Sequence, residues 1–248
     1  MKTTGNTVLI TGGASGIGFA LASSFANQGN KVIICGRNEE KLQRAKEKIP
    51  EISVKKCDIS RNEDVASLFD WVTSSFPEID ILVNNAGIQR TIDLKRGIQE
   101  LVKVDDEIAI NLKSQIYLSE YFIPVFLGKH TDSAIANVSS GLGFVPLARF
   151  PIYSATKAGI HSFTMSLRQQ LKGTPIRVFE VIPPTVYDTE LKGRPLEKSD
   201  WTVSSREVAE AVMKGIEENE YEIAIGPSKN WLRASKSELD QTFNNLNR

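Results

Sequence analysis

Apolar and polar positions along this chain follow two periods. Short apolar runs, the first being Val8-Leu9-Ile10, are separated by longer stretches whose apolar residues recur at helical spacing. The first kind reads as buried strands and the second as amphipathic helices. Strands are expected at residues 7–10, 31–35, 53–57, 79–83, 134–138, 176–181 and 221–225. A first helix should run from a glycine-rich turn to about residue 28. A second should start at Glu39, capped by Asn38, carry Leu42, Ala45 and Ile49 inward, and stop at Pro50. Ser60-Arg61-Asn62-Glu63 has the S-x-x-E form of a capping box and predicts a third helix, with Val65, Leu68, Phe69 and Val72 on its apolar side. A long helix is expected over 104–127, kinked or ended by Pro124, and others over 152–171 and 206–217. This alternation predicts an α/β fold: a doubly wound, mostly parallel seven-stranded sheet with helices on both faces. No repeat or linker rich in Gly, Ser or Pro divides the chain, so residues 1–248 are expected to form one domain, with a tail from about residue 228.

Charge excludes some functions. Lys plus Arg and Asp plus Glu number 30 each, so the formal net charge is zero. Nothing global steers such a chain to nucleic acid or an anionic membrane. The basic residues of 41–48 alternate with Glu and read as a solvated helix face. No apolar run approaches the ~18 residues needed to span a bilayer, and 8–10 is too short for a signal-peptide core. A soluble, cytoplasmic protein is expected. Cys35 and Cys57 form no CxxC pair; they are either neighbours at strand ends or buried, reduced side chains. With two histidines, His130 and His161, no metal cluster is expected.

Two motifs carry the chemistry. Thr11-Gly12-Gly13-Ala14-Ser15-Gly16-Ile17-Gly18 follows the first strand and opens a helix, where backbone N–H groups can cradle a pyrophosphate. Its spacing is G-x-x-x-G-x-G, and alone it could be an ordinary strand-to-helix turn. Far downstream, Tyr153 and Lys157 stand four apart, on one face of a helix. The ammonium there should favour the tyrosinate, lowering a pKa that starts near ~10. Together they suggest a nicotinamide cofactor and a proton donor for a reacting carbonyl.

With Asn84-Asn85-Ala86-Gly87, Asn111 and Ser140, these motifs resemble the short-chain dehydrogenase/reductase family over nearly the whole chain, with its Rossmann-like sheet. Ser15, where the extended branch carries glycine, places the likeness outside that branch. Ser139 to Pro146 and Pro183-Pro184 are similar to the DltE-like oxidoreductases. The family's spacing of serine to tyrosine selects Ser140 over its neighbour Ser139. The resemblance implies that Ser140 hydrogen-bonds the substrate oxygen, that Tyr153 protonates or deprotonates it, and that Lys157 holds the nicotinamide ribose. It also implies that Asn111 holds a water relaying protons from Lys157. Thr11, Gly12, Ser15, Gly16, Ile17 and Gly18 would bind the pyrophosphate side; Asn84, Ala86 and Gly87 would support the sheet centre and let backbone approach and bind the cofactor, as would Pro183; Asp58 would bind the adenine. Relatives carry Pro-Gly and a threonine after the sixth strand; here Pro183-Pro184-Thr185-Val186-Tyr187-Asp188-Thr189 leaves the carboxamide partner open between Val186 and Thr189.

Gly36 and Arg37 replace the acidic residue expected for NAD at the end of the second strand. A guanidinium can pair with a 2′-phosphate, which favours NADP(H); NAD(H) follows if Arg37 points into solvent. A small-molecule carbonyl or alcohol substrate is expected against Gln89, Leu142, Phe144 and Tyr187, beneath a lid over 191–201. Ala155, Ala158, Gly159 and Ser162 permit close helix packing, in the monomer or in the homodimer or homotetramer that the resemblance implies. Trp231, Leu232, Ser235, Leu239 and Phe243 suggest an amphipathic tail helix that docks on its own subunit or on a partner, or forms part of the pocket rim. The leading expectation is an NADP(H)-dependent oxidoreductase. An NAD-linked alcohol dehydrogenase and a non-catalytic NADP-binding sensor or scaffold are the alternatives.

Overall fold

The computed structural model describes residues 1–129, 131–189, 191, 196–234 and 236–247. Seven parallel strands form the main sheet: β1 (Thr7–Thr11), β2 (Lys31–Gly36), β3 (Ser53–Lys56), β4 (Ile79–Asn84), β5 (Ser133–Val138), β6 (Ile176–Ile182) and, passing over a small pair, β9 (Glu222–Ala224). Their spatial order is β3-β2-β1-β4-β5-β6-β9, so the chain reverses direction across the sheet between β1 and β4. That reversal opens a crevice beyond the strands' C-terminal ends. The small pair, β7 (Thr185–Val186) and β8 (Thr202–Val203), lies outside the main sheet.

Alternation along β1 sorts its side chains. Val8 and Ile10 join the core beneath α1 (Gly16–Asn27), α2 (Glu39–Lys48) and α7 (Ser205–Glu218). Leu9 joins the opposite core beneath α3 (Asn62–Ser75), α5 (Ser114–Lys129) and α6 (Pro151–Gln170). The tail forms α8 (Ser228–Arg233) and α9 (Lys236–Leu246).

Asn38 caps α2 as expected, its side chain accepting from Lys41 N at 2.8 Å. The capping box at Ser60 does not form. The Ser60 hydroxyl instead donates to Asp58 Oδ1 at 2.7 Å, and α3 starts after Arg61. A nearby carboxylate outcompeted the helix N–H groups for that hydroxyl. A capping box is present at Ser204 and Glu207, opening α7.

The long helix expected over 104–127 is divided. α4 (Leu101–Ile108) passes through a π turn, Ala109–Lys113, into α5. Pro124 lies within α5, which continues to Lys129. A π turn displaces the backbone locally and often marks a functional position; here it holds Asn111.

Candidate active site

At the C-terminal ends of the strands a cleft of about 1130 Å³ runs from the β1–α1 turn to α6 and the tail. Its nucleotide end is made largely of backbone. Gly12 has φ of +65°, and a Cβ there would lie 3.0 Å from Ala86 Cα. A Cβ on Gly18 would lie 2.3 Å from the Gly12 carbonyl oxygen, so that contact requires glycine. Thr11 is buried and does not line the cleft. Its hydroxyl accepts from the backbone N–H groups of Asn85 and Ala86, each at 3.0 Å, and so ties β1 to the loop after β4. Gly12, Ser15, Gly16, Ile17, Ala86 and Gly87 face the cleft, with the N-terminus of α1 directed into it. This glycine-lined turn, whose close backbone contacts leave no room for a Cβ at Gly12 or Gly18, fits a dinucleotide pyrophosphate.

Arg37 is exposed and lines the cleft beside Gly36 at the end of β2. Asp58 also lines it, but its Oδ1 accepts from both the backbone and the hydroxyl of Ser60. Cys35 and Cys57 are free, buried neighbours; the Cys57 side chain and burial hold the Cys35 thiol well above its ordinary pKa. Asn84 is fully buried away from the cleft. Its amide donates to Asn137 Oδ1 at 2.9 Å and Ser119 Oγ at 3.2 Å, joining β4, β5 and α5.

Asn111, Ser140, Tyr153 and Lys157 converge from three elements. The π turn presents the buried Asn111 to the loop after β4, where its Oδ1 accepts from Ile88 N and its amide donates to Ile88 O, both at 2.8 Å. A Cβ on Gly87 would lie 3.3 Å from Asn111 Oδ1 and 3.7 Å from Lys157 Nζ, so glycine lets the three meet. Ser140 follows β5 in extended conformation (φ −169°), and its Oγ accepts from Leu142 N at 3.2 Å. The same side chain neighbours the Tyr153 phenol and acts to lower its pKa.

The protonation pattern differs from the expected one. Burial pushes the Tyr153 phenol up to about 12; the Ser140 hydrogen bond opposes this and the charge of Glu107 adds to it. Burial also lowers Lys157 to about 8. Lys157 Nζ donates to the Val138 carbonyl at 2.8 Å and stands 5.6 Å from the Tyr153 ring centroid. Helical spacing put the ammonium on the correct face, but desolvation here outweighs its attraction for a tyrosinate.

Pro183, Val186 and Thr189 line the cleft, Thr189 donating to the Val186 carbonyl at 3.1 Å. At the substrate end Gln89 and Leu142 also line it, whereas Phe144 and Tyr187 do not. Phe144 packs on the His161 ring, centroids 4.6 Å apart. Tyr187 is fixed through its backbone, accepting from Leu196 N at 2.7 Å and donating to Val203 O at 3.0 Å. Of the expected lid, Leu191, Leu196 and Trp201 line the cleft, and 192–195 lie outside the described residues.

Other residues complete the cleft, among them Trp231 of the tail helix expected at the pocket rim. Arg90 and Arg149 flank the substrate end. Trp231 packs against Gly141, where a Cβ would fall 2.5 Å from its ring. Asn247, one residue past α9, donates to the Pro146 carbonyl at 3.1 Å and accepts from Ala148 N. The tail's helical apolar spacing was the available signal. Ser235 lies outside the described residues. Glu107, four positions before Asn111, is fully buried, and its Oε1 accepts from Arg90 N at 2.7 Å. Its Oε2 has no hydrogen-bond partner among the described residues, and burial raises its pKa to about 7.

A sequence profile of the short chain dehydrogenase family matches residues 6–200. The chain is 42% identical over 250 residues to the uncharacterized oxidoreductase DltE of Bacillus subtilis, covering 100% of this chain and 98% of that protein. An uncharacterized oxidoreductase of Staphylococcus saprophyticus is 32% identical over 234 residues, 88% of this chain and 96% of its own. Among solved structures, a Burkholderia cenocepacia short chain dehydrogenase in complex with NADP superposes with a TM-score of 0.84 at 26% identity, covering 98% of this chain and 99% of its own. A Burkholderia phymatum short chain dehydrogenase/reductase in complex with NAD has a TM-score of 0.85 at 22% identity, with coverages of 98% and 96%. The chain belongs to the short-chain dehydrogenase/reductase family, within which it is of the DltE-like type. It is an oxidoreductase acting on CH–OH or carbonyl groups.

Proposed function

We propose that the protein is an NADP(H)-dependent reductase and dehydrogenase, interconverting a ketone or aldehyde and its alcohol, with Tyr153 as general acid and base. The observation that carries this reading is that Ser140, Tyr153 and Lys157 line the cleft together, with Asn111 behind them at Gly87. When bound, the nicotinamide supplies or accepts the hydride. The Ser140 hydroxyl donates to the substrate oxygen as negative charge develops there. Tyr153 gives that oxygen its proton in reduction, and its burial keeps the phenol protonated for the task. Lys157 and Asn111 form the proton path behind it. Gly12, Ser15, Gly16 and Ile17 hold the pyrophosphate, and Val186 and Thr189 the far wall. The leucines and tryptophans at the substrate end suit a substrate with an apolar body.

The NADP(H) preference rests on Arg37 at the end of β2, where no acidic side chain opposes a 2′-phosphate. Side-by-side fluorescence titration with NADPH and NADH tests it. NADPH should bind at least about tenfold more tightly, a difference of ~1.4 kcal/mol, and Arg37→Ala should erase it. Equal or tighter NADH binding would transfer the reading to an NAD-linked alcohol dehydrogenase. We further propose a homodimer or homotetramer through the outer face of α4 and α6, where Val102 is 75% and Met165 50% exposed beside the exposed Ala155, Ala158 and Ser162. A monomeric mass by light scattering would refute it.

A further inference from the structure

Ser139 turns its side chain away from the reacting pair. Its hydroxyl donates to Glu180 Oε1 at 2.6 Å, inside the sheet. Glu180 is fully buried in β6, and its other oxygen, Oε2, lies 2.8 Å from His161 Nδ1. His161 stands on α6 one turn beyond Lys157 and two beyond Tyr153, so one helix face carries all three. Phe144 covers the imidazole on its turn side. A buried carboxylate needs a donor on each oxygen and a compensating charge; here the Ser139 hydroxyl supplies one donor, the His161 Nδ1–H the other, and a protonated His161 the charge.

We propose that Ser139, Glu180 and His161 form a buried clamp that positions the Ser140 hydroxyl against Tyr153, tightest while His161 carries its proton. The inference rests on reading Ser140 and Tyr153 as the reacting pair. Ser140 immediately follows Ser139 in extended backbone, where neighbouring side chains point to opposite sides. Fixing Ser139 to β6 therefore fixes the direction of Ser140. Linking the same carboxylate to α6 sets the distance from the end of β5 to the helix that carries Tyr153. The order of the three groups excludes hydrolytic chemistry at Ser139. Glutamate stands between serine and histidine, so the imidazole has no contact with the hydroxyl it would need to deprotonate. All three are positioning residues.

The charged groups facing His161 are Glu180 from β6, Glu222 from β9, and Arg168 from α6 itself. The hydrogen bond to Glu180 raises the imidazole above its ordinary 6.5, against burial and Arg168. A raised histidine contributes stability that is fully present below pH 6.5 and is lost as pH rises through its folded value. The clamp should therefore loosen as pH rises through that raised value.

Glu180→Gln is the informative variant. Its amide matches the carboxylate in volume but has one accepting oxygen, so it cannot accept from both Ser139 and the His161 Nδ1–H, and the clamp opens. With NADPH and a panel of aliphatic and aromatic aldehydes, kcat should fall about 10–100-fold, the scale of a reacting group misplaced by about an ångström. NADPH affinity should change less than about twofold. The loss of kcat that accompanies His161 deprotonation should vanish, and Ser139→Ala should lower kcat in the same direction. NMR titration of the wild-type protein, with the His161 signal assigned by its loss in His161→Gln, should give a pKa above 6.5 that falls in Glu180→Gln.

A wild-type His161 value at or below 6.5, or unchanged kcat and pH profile in folded Glu180→Gln, overturns the proposal. The NMR measurement decides alone if the variants do not fold. If no carbonyl is turned over, the oxidoreductase reading fails separately. The clamp is then judged by His161 and by a crystal structure of Glu180→Gln, where an undisplaced Ser140 overturns it.

Discussion

The two ends of the cleft are built by different means. The nucleotide end is backbone held close by missing side chains: Gly12 in the left-handed region, Gly18 against the Gly12 carbonyl, and the open N-terminus of α1. The substrate end is side chains brought from afar, with Gln89 after β4, Leu142 after β5, and Trp231, Leu246 and Asn247 from the tail. A backbone site depends on residues that lack a Cβ and has little freedom in its sequence. A side-chain site depends on where distant loops land, so it can change walls while the first end stays fixed.

The sharpest way to probe that division is at the junction, where Tyr153 should serve the reaction alone. Tyr153→Phe should lower turnover by about 10²–10⁴-fold, the usual contribution of a positioned proton donor. The titration midpoint for NADPH should remain within a few-fold of wild type. Rapid turnover of aldehyde by the variant would remove Tyr153 from the mechanism.

Gly18→Ala attacks the nucleotide end only. The added methyl would fall 2.3 Å from a backbone oxygen, which no rotamer relieves. Overpacking of this kind costs about 1–3 kcal/mol, and the shift moves the pyrophosphate cradle. Lower Tm and at least about tenfold weaker NADPH binding are expected, measured by thermal denaturation and fluorescence titration. Wild-type affinity in this variant would mean that the cradle is not the phosphate site.

How much could be read from the sequence follows the same division. The glycine turn, the strands of the sheet, and Tyr153 with Lys157 announce themselves because local spacing or alternation fixes them. Asn38 was legible as a cap for the same reason. Ser60 was not, because Asp58 competes for its hydroxyl and no local pattern ranks the two acceptors. The protonation of Tyr153 was misjudged because spacing reports that Lys157 is near, not how dry the site is. Phe144 and Tyr187 were placed in the substrate wall by proximity along the chain, yet one turns onto His161 and the other serves through its backbone. Trp231 and Asn247 reach the cleft from far along the sequence, and only the tertiary fold supplies that contact.

Two buried carboxylates near α6 carry the comparison to its smallest expected effect. Glu180 has a donor on each oxygen, whereas Glu107 has one on Oε1 alone among the described residues. Burial raises the Glu107 carboxyl from 4.5 to about 7. Between those values the unfolded chain has released this proton and the folded protein still holds it. Its contribution to stability therefore declines as pH rises from about 4.5 to about 7, and levels off above. Glu107→Gln has no proton to lose, so its Tm should gain on wild type across that window. The ionised carboxylate also opposes a tyrosinate at Tyr153. Removing it should shift the rise of alcohol oxidation with pH to lower pH, by less than about one unit. Parallel Tm curves for the two proteins from pH 4.5 to 8 would show Glu107 ionised throughout, with its charge neutralised by something other than Arg90.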